Sequence, residues 1–133
     1  MKKQEFLKTI DGLNLDKQKY CIISGGVMLM YGLREETEDI DLKIIPELFD
    51  ELNQKYATRK SEKFSYLYEL TDSIELAVLD FSQDDVVWID GYPVESLEKQ
   101  LEWKLANHRL KDEEDIRRIK EYLHNKENTA AKK

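Results

Sequence analysis

Several absences narrow what this sequence can be. Cys21 is the only cysteine in 133 residues, so no internal disulfide is available and a reducing, cytoplasmic setting is expected. Two histidines, His108 and His124, are too few and too scattered for a zinc site. No apolar stretch approaches the length of a membrane span. Met1 to Ile10 mixes charged and apolar residues, so no signal peptide is expected and no membrane partner either. No internal repeat or low-complexity linker interrupts the chain. Positive charge is in deficit: 21 Lys and Arg against 28 Asp and Glu leave a net charge of −7. Such a chain is a poor general binder of duplex nucleic acid, which needs clustered cations, although a local basic site is compatible with it.

What remains is a folding composition: 41% hydrophobic and 37% charged residues, in a length that favours one domain. We expect that domain over residues 1–125, followed by a polar, aperiodic and flexible tail over 126–133. Apolar groups at Phe6, Leu7, Ile10 and Leu13 predict a short amphipathic helix over Gln4 to Leu15. Tyr20 to Ser24 reads as a buried strand, Gly25 and Gly26 as a turn, and Val27 to Leu33 as an apolar helix. Glu38 to Ile45 alternates as a strand, with Asp39, Asp41 and Lys43 on one face and Ile40, Leu42 and Ile44 on the other. Pro46 opens a helix to about Tyr56. Phe64 to Leu70, Ser73 to Phe81 and Val86 to Ile89 are strand-like, separated by turns at Thr71-Asp72 and Asp84-Asp85, and Gly91-Tyr92 suggests a further tight turn. Helices over about Ser96 to Leu110 and Asp112 to His124 close the pattern. The expected fold is α/β (α+β): a mixed sheet of about five strands with helices packed mainly on one face.

Two carboxylates at alternate positions of a strand point the same way and repel. A pair such as Asp39 and Asp41 is tolerated chiefly where a cation neutralises it. Oxygen ligands without nearby histidine or cysteine favour a hard ion, Mg²⁺ or Mn²⁺. Upstream, Ser24-Gly25-Gly26 joins a buried strand to a helix, where glycine permits close backbone approach and the helix start suits a phosphate. Taken singly, each feature has an ordinary reading: solvated strand acids, a plain turn, or an Arg34 paired with Glu35, Glu36 or Glu38.

The segment from Ile23 to Ile44, ISGGVMLMYGLREETEDIDLKI, resembles the signature of the polymerase-β-like nucleotidyltransferases: a small-residue pair, a helix, then acid–apolar–acid on a strand. Gly32-Leu33-Arg34, Thr37 and Asp39-Ile40-Asp41 are similar to its bacterial form. The resemblance implies a third carboxylate on a neighbouring strand. Glu75 and Asp80 are the candidates; they differ in parity and so face opposite sides, and Glu75 is preferred. Lys104, Arg109, Lys111-Asp112 and Asp115 are similar to the pattern of the abortive-infection and toxin-type nucleotidyltransferases. Leu97, Leu101, Leu105 and His108 make an apolar stripe on that helix, and Lys104 falls within it. A lysine there either snorkels to solvent or meets an anion such as a triphosphate.

The resemblance implies catalysis and metal binding by Asp39, Asp41 and Glu75, and nucleotide binding by Ser24, Gly25, Gly26, Arg34, Thr37 and Lys104. Two Mg²⁺ ions about 3.5–4 Å apart would promote in-line transfer of a nucleoside monophosphate from a nucleoside triphosphate to an acceptor hydroxyl. The acceptor would be a protein, a tRNA end or a small molecule such as an antibiotic. A partner protein or a homo-oligomer could complete so small a site, and a toxin–antitoxin setting fits the resemblance. The rival expectation is a non-catalytic module of the same fold that binds nucleotide or a partner.

Overall fold

The computed structural model describes the backbone of residues 1–131 and the side chains of residues 1–127; Lys132 and Lys133 lie outside the described residues. The chain divides into two compact units, the first Met1–Ser96 and the second beginning at Leu97.

The first unit is built on one mixed sheet. Its strands are β1 (Tyr20–Ile23), β2 (Ile40–Ile44), β3 (Arg59–Lys60), β4 (Leu67–Thr71), β5 (Ile74–Val78), β6 (Val86–Ile89) and β7 (Tyr92–Glu95), in the order β3-β4-β5-β2-β1-β7-β6. β2 runs parallel to β5 and β1 parallel to β7; the remaining pairings are antiparallel. The helices are α1 (Lys3–Asp11), α2 (Gly25–Met30) and α3 (Pro46–Lys55).

Alternation sets the two faces. Ile40, Leu42 and Ile44 are fully buried on the face that also carries Ile22, Leu76 and Val94. The helices of this unit pack there: Gly26 of α2 lies against Ile22 and against Phe6 of α1, and Phe49 of α3 meets Tyr68 with ring centroids 4.4 Å apart. The opposite face carries Asp41, Lys43, Cys21, Glu75 and Ala77, by the same register.

Local chemistry accounts for the ends of the elements. α2 closes in a Schellman motif: Gly32 takes φ +74°, the Leu33 amide donates to Met28 O at 2.8 Å and the Gly32 amide to Leu29 O at 3.1 Å. Pro46 occupies the first turn of α3, where its missing N–H costs nothing. Asp90 and Gly91 both take positive φ, 53° and 85°, the pattern of a type I′ hairpin turn between β6 and β7.

Two strands exceed the five expected. β3 is only Arg59 and Lys60, too short and too charged to show a strand pattern. β7 contains Pro93, which normally argues against a strand with neighbours on both sides. Gly25 and Gly26 belong to the first turn of α2 rather than to a turn before it, and that helix stops at Met30 instead of Leu33.

The second unit contains α4 (Leu97–Asn107), a 3₁₀ turn (Leu110–Asp112) and α5 (Glu113–Ala131). The last helix therefore continues well past His124, into the region expected to be an aperiodic tail. α4 ends before His108, which takes φ +48° and is exposed. Its buried positions are Leu97, Gln100 and Lys104, while Leu105 is 42% exposed. The leucine spacing thus misplaced the inward face of α4. No helix among the described residues is long and apolar enough to cross a membrane.

Candidate functional site

β2 delivers the acid–apolar–acid segment. The Ile40 amide donates to Ser73 O at 2.7 Å, so pairing between β2 and the start of β5 begins immediately after Asp39. Asp39 is exposed and lies one residue before the strand; Asp41 is half-buried within it. Asp41 is the direct register partner of Glu75, and Glu75 in turn that of Glu69 on β4. One row across β2, β5 and β4 thus carries three carboxylates on a single face, continued on β3 by Arg59, whose Nε donates to Glu69 Oε2 at 2.8 Å. Asp80 lies beyond the end of β5 and is exposed. At about 3.3 Å per residue it stands roughly 16 Å along the chain from Glu75, so of the two candidates Glu75 is the one beside Asp41.

The segment between β1 and β2 gathers four more of the expected residues. Ser24 turns the chain from β1 into α2 with φ 58° and ψ −134°, a sparsely populated conformation for a residue with a Cβ. Next to it, Gly25 is closely approached. A methyl group there would lie 2.7 Å from Arg34 Nη1 and 2.8 Å from Thr37 Oγ1, so both side chains rest on the glycine backbone. The Thr37 hydroxyl also donates to Asp39 O at 3.4 Å. The Thr37 amide donates to Met1 O at 2.9 Å, and the backbones of Lys2 and Glu36 form an isolated antiparallel β-bridge, which pins the loop leading to Asp39. Gly26 serves a different purpose: a methyl group there would lie 2.6 Å from both Phe6 Cζ and Ile22 Cγ2, so its lack of a side chain is required by the core.

Lys43, two residues past Asp41 on the same face, donates to Glu95 Oε2 at 2.5 Å. Glu95 is only 4% exposed. Neither Glu95 nor Glu69 was anticipated as part of this face; alternation marked Lys43, but nothing local in the sequence marks its partner. Cys21 lies opposite Lys43 in the β1–β2 register. Burial, then the nearby Glu95 charge, pushes its thiol up to about 12, which makes it inert.

Lys104 is buried in the second unit, and it does not snorkel. Its Nζ donates to Asp112 Oδ1 at 3.2 Å and to Asp115 Oδ2 at 3.5 Å. Arg109 Nε donates to Asp112 Oδ2 at 2.6 Å, and its guanidinium sits 4.5 Å from the Trp103 ring centroid. Burial works to raise the Asp112 pKa, but the hydrogen bond from Arg109 and the charge of Lys104 outweigh it and hold the carboxyl below its ordinary value. A triphosphate role for Lys104 would require its ammonium to release two carboxylates.

Among the described residues, no three His, Cys, Asp or Glu side chains converge into a group ready to hold a metal ion. The arrangement instead offers Asp41 and Glu75 as register partners in the sheet, with Asp39 one residue before β2, and Gly25 lined by a guanidinium and a hydroxyl.

No family model matches the sequence, and no curated protein sequence matches it. Among solved structures, that of a putative nucleotidyltransferase from Thermotoga maritima is similar over 94% of this chain and 96% of that one, with a TM-score of 0.63 and 19% sequence identity. The likeness at that identity is one of fold: the chain has a mixed α+β, nucleotidyltransferase-like fold.

Proposed function

We propose that the protein is a metal-dependent nucleotidyltransferase that moves a nucleoside monophosphate from a nucleoside triphosphate to an acceptor hydroxyl on a protein, an RNA or a small molecule. One observation carries this reading: Asp41 and Glu75 are side-by-side register partners on parallel strands, immediately after Asp39. Like charges so placed repel, and a cation bound between them would relieve that repulsion. The donor set fits Mg²⁺ or Mn²⁺, since Mg²⁺ is commonly held by one or two carboxylates with water and substrate phosphate completing its shell. Three fully convergent side chains are therefore not required. An ion held by Asp39, Asp41 and Glu75 would supply charge neutralisation at the α-phosphate and lower the pKa of the acceptor hydroxyl.

The remaining work falls to the chain itself. Arg34 clamps triphosphate oxygens through its planar fork of donors, and the Thr37 hydroxyl donates beside it. Gly25 lets the phosphate approach the backbone that Ser24 turns toward it. α2 has six residues, so this cradle rests on Arg34, Thr37 and close backbone approach rather than on a helix dipole. Glu75 accepts the proton of the acceptor hydroxyl. The acceptor oxygen then bonds to the α-phosphorus as the bond to pyrophosphate breaks, with orientation and preorganised charge supplying the acceleration.

The second reading is a nucleotide- or partner-binding module without turnover, favoured by the lack of a convergent three-residue metal group among the described residues. Incubation with Mg²⁺, each labelled nucleoside triphosphate and a cell extract, beside an Asp39→Asn/Asp41→Asn control, separates the two. Label transferred to an acceptor only by the unmutated chain supports the enzyme. Pyrophosphate release and label transfer equal to the control with every nucleotide would refute it, and a nucleotide-dependent thermal shift in that case marks the binding module.

A further inference from the structure

The two edges of the sheet are unlike. β3, at one edge, consists of Arg59 and Lys60, both exposed. A short, charged edge of this kind discourages strand addition. β6, at the other edge, is Val86-Val87-Trp88-Ile89, with no charge and no proline, and β7 is the one strand paired with it among the described residues. Val87 is 37% and Trp88 46% exposed. They lie on opposite faces, since Val87 partners the core residue Val94 and Trp88 partners Pro93. The edge is therefore apolar on both sides and open to a further strand.

We propose that β6 pairs with β6 of a second copy, antiparallel and related by a two-fold axis at Trp88, so that one sheet continues through a dimer. The charges at its two ends select this occupant. Asp84 and Asp85 precede the strand. At its far end, Lys3 Nζ lies 2.6 Å from Asp90 Oδ2. Antiparallel pairing lays the start of one strand beside the end of the other, which brings Asp85 next to Lys3 of the second copy. The register matters. A two-fold axis through Val87 would set Asp84 opposite Asp90, like charge on like. An axis through Trp88 sets Val87 opposite Ile89 and Val86 opposite Asp90. The contact is isologous and closes at two copies, rather than growing into a filament. Five paired residues per copy, Val86 to Asp90, make a small interface, so the dimer is weak and depends on protein concentration.

Sedimentation velocity on the full chain, from about 1 µM to about 1 mM at low salt, reads the equilibrium. The dimer fraction rises with concentration, and Trp88→Glu raises the dissociation constant at least about tenfold. Lys3→Glu and Asp85→Lys each weaken the dimer, and the double charge swap recovers it. Amide exchange on the unmutated chain gives an answer that no folding defect can confuse: alternate amides of β6 slow as concentration rises. A monomer throughout this range with unchanged β6 exchange overturns the proposal. A dimer indifferent to Trp88→Glu, or β6 protection that appears only when another protein is added, overturns it too.

Discussion

Gly25 and Gly26 are neighbours in sequence and in the first turn of α2, yet alanine at each position is expected to fail differently. At Gly26, the new methyl would sit 2.6 Å from Phe6 Cζ and from Ile22 Cγ2, both of which are fully buried. Neither can retreat without moving α1 or the sheet. Overpacking of this kind costs about 1–3 kcal/mol, against a gain of up to about 1 kcal/mol from replacing glycine in a helix. The net loss of roughly 1–2 kcal/mol corresponds to a fall of about 3–8 °C in Tm for a chain of this size. At Gly25, the methyl would meet Arg34 Nη1 at 2.7 Å and Thr37 Oγ1 at 2.8 Å. These are the far end of a long side chain and a rotatable hydroxyl, which can swing away, so Tm should stay within about 3 °C of the parent once the gain in backbone entropy is included. What the swing removes is the pair of donors proposed to hold the triphosphate, and nucleotide affinity should drop at least about tenfold, the worth of one charge-assisted hydrogen bond. Thermal melts and calorimetric titration with a nucleoside triphosphate and Mg²⁺ read both quantities. Gly25→Ala with parental nucleotide affinity would sink the cradle, and Gly26→Ala with parental Tm would sink the packing argument.

Other consequences are open to direct measurement. Asp41→Asn and Glu75→Gln should each lower nucleotidyl transfer by at least about 10²-fold, whereas Asp80→Asn should leave it within about threefold because that residue lies far along from Asp41; parity between Glu75→Gln and Asp80→Asn would remove Glu75 from the site. Asp112→Asn strips Lys104 of the nearer of its two carboxylates and should cost about 2–3 kcal/mol in denaturant unfolding, below the usual cost for a wholly unpaired buried charge because Asp115 remains. Acid should act on the second unit through its depressed carboxyls: Asp112 lies below its ordinary value, and Glu114, hydrogen-bonded by Arg117 and Arg118, is lowered to about 2. The stabilisation they give is complete above their unfolded pKa values and is lost as pH falls through the folded ones, so a carboxyl-carbon NMR titration should place the Glu114 midpoint near 2, and a midpoint near 4.5 would contradict the pairing. Cys21, with its thiol at about 12 and 1% exposed, should label with iodoacetamide at pH 8 only as fast as the protein opens; rapid labelling of the native state would count against its burial in β1.

Much of the first unit is legible in the sequence. Strict alternation in Ile40-Asp41-Leu42-Lys43-Ile44 set both faces of β2, Pro46 marked the start of α3, and the hydrophobic run ending in glycine located β1. Failures came where distant residues overrode local pattern. Leucine spacing in α4 promised burial of Leu105 and His108, but the buried polar stripe is Gln100 and Lys104. It exists because Asp112, at the end of the 3₁₀ turn, and Asp115, in the first turn of α5, meet the ammonium group. No local signal in α4 announces those two acids as its partners. β7 was hidden by Pro93 and by its brevity, and only its position between β1 and β6 shows that the ladder tolerates it.

The site was legible as a list of residues, but its geometry was not, because it depends on strand register. Parity alone said that Glu75 and Asp80 face opposite ways; it could not say which face β5 turns toward β2. The pairing of Ile40 with Ile74 settles that, since every later pair follows in step and brings Glu75 beside Asp41. Across the next strand, Thr71 pairs with Ile74 while Glu69 pairs with Glu75, so an irregularity intervenes between them. Without that shift, Leu70 would stand opposite Glu75. The extra residue in β4 moves Glu69 onto the row, a local device of the kind that re-aims side chains in sheets. Deleting one residue from the Thr71-Asp72-Ser73 turn would leave the composition of this face unchanged, yet it would put the register of β4 against β5 in play. Two acids at alternate positions and a glycine pair suggest a chemistry; the register that stacks Asp41, Glu75 and Glu69 makes the face for it.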